Sequence, residues 1–102
     1  NKKQIDGPTD DVLTLGDLRA KYESFGWRVW ECNGNDMQEL VDTFNKIREN
    51  AHKGQSQILL AHTEMGMGVD FMMGTHKWHG VAPNDEQAAN ALSQLKETLG
   101  DY

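Results

Sequence analysis

Gly74-Thr75-His76-Lys77-Trp78-His79-Gly80 is the stretch of this 102-residue chain best equipped for chemistry. Two imidazoles stand three residues apart, glycines close the stretch at both ends, and a tryptophan precedes the second histidine. Imidazole changes charge near neutral pH, so His79 suits donation to a phosphate oxygen or a proton shuttle, and equally a structural role. As a metal pair, His76 and His79 supply two donors where zinc takes three or four. Cys32, the single cysteine, offers no multi-cysteine site and reads as a packed thiol in or beside a strand. Gly66-x-Gly68 resembles part of a phosphate-cradling loop but lacks the third glycine and the Lys-Ser/Thr of a P-loop. Met65, Met67, Met72 and Met73 suit gap-filling or an apolar edge, because thioethers select soft metal ions and no cysteine assists them.

A strand must deliver those loops. Ile58-Leu59-Leu60-Ala61-His62 is an apolar run that breaks into Thr63-Glu64-Met65-Gly66-Met67-Gly68, the order expected where a buried strand feeds a binding crevice. Before it, Trp27-Arg28-Val29-Trp30-Glu31-Cys32 alternates with a β-rich composition and predicts another strand. Asn33-Gly34-Asn35 is a turn, and Asp36 with Glu39 signals the start of a helix reaching about Asn50, with Leu40, Val41, Phe44 and Ile47 on one side. Strand, helix and strand with one crossover make a parallel βαβ unit. Ahead of it, Thr14 is the expected N-cap of a helix carrying Leu15, Leu18, Tyr22 and Phe25, closed by Gly26 as a C′ glycine. Asn1 to Leu13, with Asp6-Gly7-Pro8, reads as loop. Asn84 with Gln87 caps a last helix whose stripe is Ala88, Leu92, Leu95 and Leu99, and Gly100 closes it. The expected fold is α/β: an incomplete parallel-sheet piece of about two strands and three helices, whose bare strand edges imply further strands.

Composition narrows the partners. Ten Lys and Arg stand against sixteen Asp and Glu, a formal charge of −6, and the basic residues are scattered. Neither a nucleic acid nor an anionic membrane suits such a surface, since both demand a cationic face. No apolar run approaches the ~20 residues of a membrane span, and the lone cysteine suits a reducing compartment, so the expectation is a cytoplasmic protein. A first residue that is Asn and not Met implies sequence upstream.

In order and spacing, Asn1-Lys2-Lys3-Gln4-Ile5-Asp6-Gly7, Tyr22-Glu23-x-Phe25-Gly26-Trp27, Thr63-x-x-Gly66-x-Gly68 and Gly74-x-His76-x-x-His79-Gly80 together resemble the diphosphate-binding region of transketolases. The likeness covers essentially residues 1–102 and is nearest to the amino-terminal subunit of split bacterial forms, of which this would be the carboxy-terminal portion. It implies thiamine diphosphate held through Mg2+ or Ca2+, and transfer of a two-carbon ketol unit from a ketose phosphate to an aldose phosphate in the pentose phosphate pathway. By the same resemblance, Asn1 gives its side-chain oxygen and Lys3 a backbone carbonyl to the metal. Ile5 lines the thiazolium side of the cofactor. His79 meets both the diphosphate and the sugar and assists proton transfer, while His76 supports the loop.

The resemblance also sets out what other sequence must supply. The family's Gly-Asp-Gly metal motif would lie upstream of Asn1, and its activating glutamate belongs to the pyrimidine-binding domain. The fragment alone should therefore be inactive, with the rest of the protein as partner in a homodimer or heterotetramer that takes sugar phosphates. Met67 stands where relatives often carry lysine, which weakens any detailed phosphate contact there. Three alternatives stay open: a non-catalytic partner module of the same fold, a related thiamine enzyme such as dihydroxyacetone or deoxyxylulose-phosphate synthase, and a small metal domain on His76 and His79. Asn1 and His79 are expected to converge on one pyrophosphate-sized hollow at the carboxyl edge of the sheet.

Overall fold

The computed structural model describes residues 1–51 and 53–96. Contacts divide the chain into two units, one of Asn1 with Leu13–Thr63, the other of Lys2–Val12 with the segment from Glu64 onward. Both follow from local signals in the sequence.

In the first unit, helix α2 (Leu18–Ser24) is capped by Asp17, whose side chain accepts from the Ala20 N–H. Thr14 is not the cap: its hydroxyl accepts from the Gly16 N–H at 3.2 Å. Gly16 itself sits at φ 59°, outside helical space, so Leu15 never joins the stripe. The helix ends in a Schellman turn. Gly26 at φ 81° donates to the Glu23 carbonyl at 2.9 Å and Trp27 to that of Tyr22 at 3.1 Å. The Tyr22 and Trp27 rings, 5.7 Å apart, supply the apolar contact that usually accompanies this turn.

Strand β3 (Arg28–Asn33) then pairs in parallel with β4 (Gln57–His62), in the register Val29↔Ile58 to Asn33↔His62. Between them runs α3 (Met37–Glu49), capped by Asp36 as expected, with Asn50 at its end. Alternation along the strands puts Arg28, Trp30, Cys32 and Gln57 on one face of the pair. That face meets α3, because Gln57 Nε2 reaches the Ile47 carbonyl at 3.4 Å and Arg28 reaches Asn50 Oδ1 at 2.7 Å. Val29 and Glu31 occupy the opposite face and meet α2, whose Arg19 Nε donates to Glu31 Oε1 at 2.6 Å. The pair is therefore covered by a helix on each side. Val29, Cys32 and Thr43 are its buried positions.

The second unit opens where a loop was expected. Lys3–Gln4 (β1) and Gly7–Pro8 (β2) form a small antiparallel hairpin followed by one helical turn, α1 (Thr9–Val12). Asp6-Gly7-Pro8 is indeed a turn signal, but it reverses the chain onto itself instead of merely extending it. Helix α4 (Asp85–Gln94) begins at Asn84, and the reciprocal Asn84–Gln87 capping box is present. Its buried residue is Ala91, while Leu92 from the expected apolar stripe is 70% exposed. Leu99 and Gly100 lie outside the described residues.

Candidate functional site

The histidine loop is built by hydrogen bonds that start well upstream of it. After β4, the chain turns at Gly66 and Gly68, whose φ angles are +70° and +95°. Neither glycine has room for a side chain: a Cβ on Gly66 would lie 2.5 Å from Met72 Cβ, and one on Gly68 would lie 2.9 Å from Leu95 Cδ2. The Val69 N–H donates to the Gly66 carbonyl at 3.0 Å, and the N–H groups of Met72 and Met73 converge on the Val69 carbonyl. Val69 is the buried anchor of this turn. Glu64 accepts the Gly74 N–H at 2.8 Å, closing the segment that carries the glycines.

Backbone donors from Val69 to Gly74 are mostly taken, but those of Met65, Gly66, Met67 and Gly68 meet no acceptor among the described residues. Successive amides of this kind, in a loop with left-handed glycines, form the concavity that oxyanions occupy. A diphosphate therefore has compatible donors in this chain.

The imidazoles follow in a tight turn, where the His79 N–H donates to the His76 carbonyl at 3.0 Å. His79 is exposed and His76 half-buried. Trp78 between them is fixed from below, its Nε1 donating to the Phe71 carbonyl at 3.0 Å and its ring meeting Phe71 edge-on at 5.4 Å. An open cleft of about 420 Å³ lies beside this pair, lined also by Asn84, Glu86, Gln87 and Asn90 of α4. Among the described residues no group of three His, Cys, Asp or Glu side chains could hold a metal, so the zinc-domain alternative finds no third protein ligand.

Lys3, Ile5 and His79 belong to one unit and Asn1 to the other. Ile5 sits at the tip of the hairpin, 62% exposed, an apolar side chain presented outward. The Thr9 N–H bonds the Lys2 carbonyl at 3.0 Å, which makes Lys2 and Thr9 a hydrogen-bonded rung. Lys3, one residue along and opposite Pro8, then falls on the alternate rung, whose N–H and C=O face away from the partner strand. Pro8 occupies the one type of position where a missing N–H takes nothing from the ladder. Lys2 is the non-glycine residue found at positive φ, 56°, between the two proposed metal donors. Asn and main-chain oxygens are the hard donors that Mg2+ or Ca2+ takes.

With that geometry in place, comparison with known proteins is decisive. Residues 1–100 match the family described as "Transketolase, thiamine diphosphate binding domain". The chain belongs to the transketolase family. Two curated relatives are named as a subunit of apulose-4-phosphate transketolase. The one from Phocaeicola vulgatus is 36% identical over 99 residues, and the one from Actinobacillus succinogenes 38% over 97 residues. These alignments cover 97% and 95% of this chain, and 34% of each relative. A 6-deoxy-6-sulfo-D-fructose transketolase subunit from a Clostridium species is 29% identical over 97 residues, covering 95% of this chain and 34% of that one. The chain thus spans about a third of the length of these curated relatives. The thiamine-diphosphate-binding assignment rests on the family as a whole.

Sequence reading missed two contributors to this transketolase-family loop, Glu64 and the Asp70–Gln94 pair. Gln94 Oε1 accepts the Asp70 N–H at 2.8 Å, and Gln94 Nε2 returns a bond to Asp70 Oδ1 at 2.8 Å. Asp70 next to a Gly-x-Gly turn was the only local trace. Its partner lies 24 residues away and leaves none.

Proposed function

We propose that the complete protein is a transketolase that moves a two-carbon ketol unit from a ketose phosphate to an aldose phosphate. The observation carrying this reading is the family match across residues 1–100, in register with the Gly66-x-Gly68 and His76-x-x-His79 loops. Bound thiamine diphosphate supplies the carbon nucleophile that such a transfer needs, and the protein supplies binding and orientation. In this reading Asn1 and the Lys3 carbonyl give oxygen to Mg2+ or Ca2+, and Ile5 lies along the thiazolium side. The Met65–Gly68 amides offset diphosphate charge. His79 donates to a diphosphate oxygen and to the sugar, and as an exposed imidazole beside a tryptophan it can hold or release a proton at neutral pH.

The substrate reading shifts with the relatives. Those named for apulose-4-phosphate are 36% and 38% identical, whereas a protein named simply transketolase, from Sinorhizobium medicae, is 26% identical over 95 residues. A ketose phosphate like apulose 4-phosphate is therefore the first donor to offer, with the straight-chain sugars of the pentose phosphate pathway second. Relatives named as one subunit of a transketolase support a second subunit bearing the pyrimidine-binding domain, in a heterotetramer and not a homodimer. No described helix is long and apolar enough to cross a membrane, in keeping with a cytoplasmic enzyme.

The test is product analysis by mass spectrometry. The complete protein and its partner subunit, with thiamine diphosphate and Mg2+, should shorten apulose 4-phosphate by two carbons and lengthen an added aldose phosphate by two. Binding of the cofactor without turnover of either class of ketose would replace this reading with the non-catalytic partner module.

A further inference from the structure

We propose that Asp70 and Gln94 are positioning residues for His79, acting through Phe71 and Trp78. The inference rests on the reading of His79 as the imidazole that meets diphosphate and sugar. A continuous line of bonded groups joins α4 to that imidazole. Gln94, at the end of the helix, exchanges two 2.8 Å hydrogen bonds with Asp70, and its Nε2 also donates to Asn90 Oδ1 at 2.8 Å within the helix. Asp70 Oδ1 in turn accepts the N–H of Phe71 at 2.6 Å. The Phe71 carbonyl and ring then fix Trp78, which immediately precedes His79. Leu95, the next residue after α4, closes against Gly68, so the helix end touches the turn at a second point.

Asp70 is exposed and Gln94 only half-buried, so burial adds little to this clasp. Its hydrogen bonds are each of the ordinary strength of about 0.5–1.5 kcal/mol. Its chemistry is selective, however. The Asp70 carboxylate can only accept, so its partner must bring a donor, while the Asp70 N–H requires an acceptor from the same side chain. Glutamine meets both needs, and a glutamate would set two carboxylates face to face. Orientation of Asp70, and through it of the Phe71 carbonyl that receives the tryptophan, is what the pair fixes.

The experiment uses the complete protein with its partner subunit. Gln94→Glu, Gln94→Leu and Trp78→Phe, the last keeping a ring but losing the N–H donor, are compared with the reciprocal pair Asp70→Asn with Gln94→Glu. Titration calorimetry gives the Kd for thiamine diphosphate in Mg2+, kinetics give KM and kcat for apulose 4-phosphate, and a denaturation midpoint monitors folding. Each single variant should raise the cofactor Kd by roughly tenfold, as loss of supporting hydrogen bonds around a ligand does. The reciprocal pair, which restores a donor opposite a carboxylate with the two roles exchanged, should return it to near the wild-type value. Lower midpoints with unchanged Kd and KM would overturn the inference and leave the clasp a structural feature. His79→Ala separates the two layers. If it too leaves Kd and KM unchanged, the reading of His79 fails and takes this inference with it. If it changes them while Gln94→Leu does not, the inference fails alone.

Discussion

Gly66 and Gly80 both flank the histidine loop, yet they are used differently. Gly66 holds φ +70° with Met72 pressed against the place of a Cβ, whereas nothing lies within 4 Å of that place at Gly80. Gly66→Ala should therefore destabilise by more than about 1 kcal/mol, and Gly80→Ala by less than about 0.5 kcal/mol, as read from urea midpoints. In the other unit, Glu31 accepts from Arg19 and then from His62, and these bonds hold its carboxyl below the usual glutamate range. Arg19 is raised reciprocally, chiefly by Glu31 and then by Glu23. A carboxyl whose folded pKa is depressed contributes stability above its unfolded value, about 4.3, and loses it as pH falls through the folded value. Melting temperature followed from pH 6 downward should thus fall more steeply in the wild type than in Glu31→Gln; parallel curves would contradict the assignment.

Helix α3 has more apolar surface than β3 and β4 cover. Leu40, Thr43 and Ile47 turn toward the strands, but Met37, Val41 and Phe44 form a flanking stripe at i, i+4 and i+7 that is 73%, 50% and 57% exposed. In a right-handed βαβ unit, with a right-handed helix running back over the strands, that flank looks to the β4 side. β4 is also the strand with the unbroken apolar run, the pattern of a strand covered on both faces and paired on both edges. Both signals place the rest of the sheet beyond β4, with another helix against the stripe. In the complete protein Phe44→Ala should therefore cost about 3 kcal/mol, a buried-aromatic value. A change within about 0.5 kcal/mol would mean that the stripe stays in water.

The elements legible in the sequence were those whose signals lie within four residues: the Asp36 and Asn84 caps, the Gly26 stop and the two strand patterns. Thr14 misled because a hydroxyl three residues ahead of an acid imitates a capping box, while Gly16 between them breaks the helix and Asp17 is itself the cap. The stripe through Leu92 misled for a different reason. Apolar spacing says that a face exists, but what covers it depends on packing that local sequence does not encode, and Ala91 is buried instead. Of the site, the glycines and histidines were legible because a family's spacing repeats in them, whereas the Asp70–Gln94 clasp joins residues too distant for any local pattern.

At the scale of the whole molecule, this chain spans about a third of the length of its curated relatives. The sheet edge beyond β4, the acidic metal ligand and the pyrimidine-activating glutamate are all expected from sequence outside it. Residues 1–102 alone should accordingly show no sugar-phosphate turnover in a coupled assay, and activity from them alone would contradict the division of labour. The most direct test of thiamine diphosphate binding through Asn1 and a divalent cation is titration calorimetry of the complete protein with the cofactor, in the presence and absence of Mg2+, beside Asn1→Ala. Saturable binding that needs the cation, and that weakens at least about tenfold without the Asn1 side chain, is the expected result. A folded protein that gives no binding, or binding indifferent to both Mg2+ and Asn1, would contradict it.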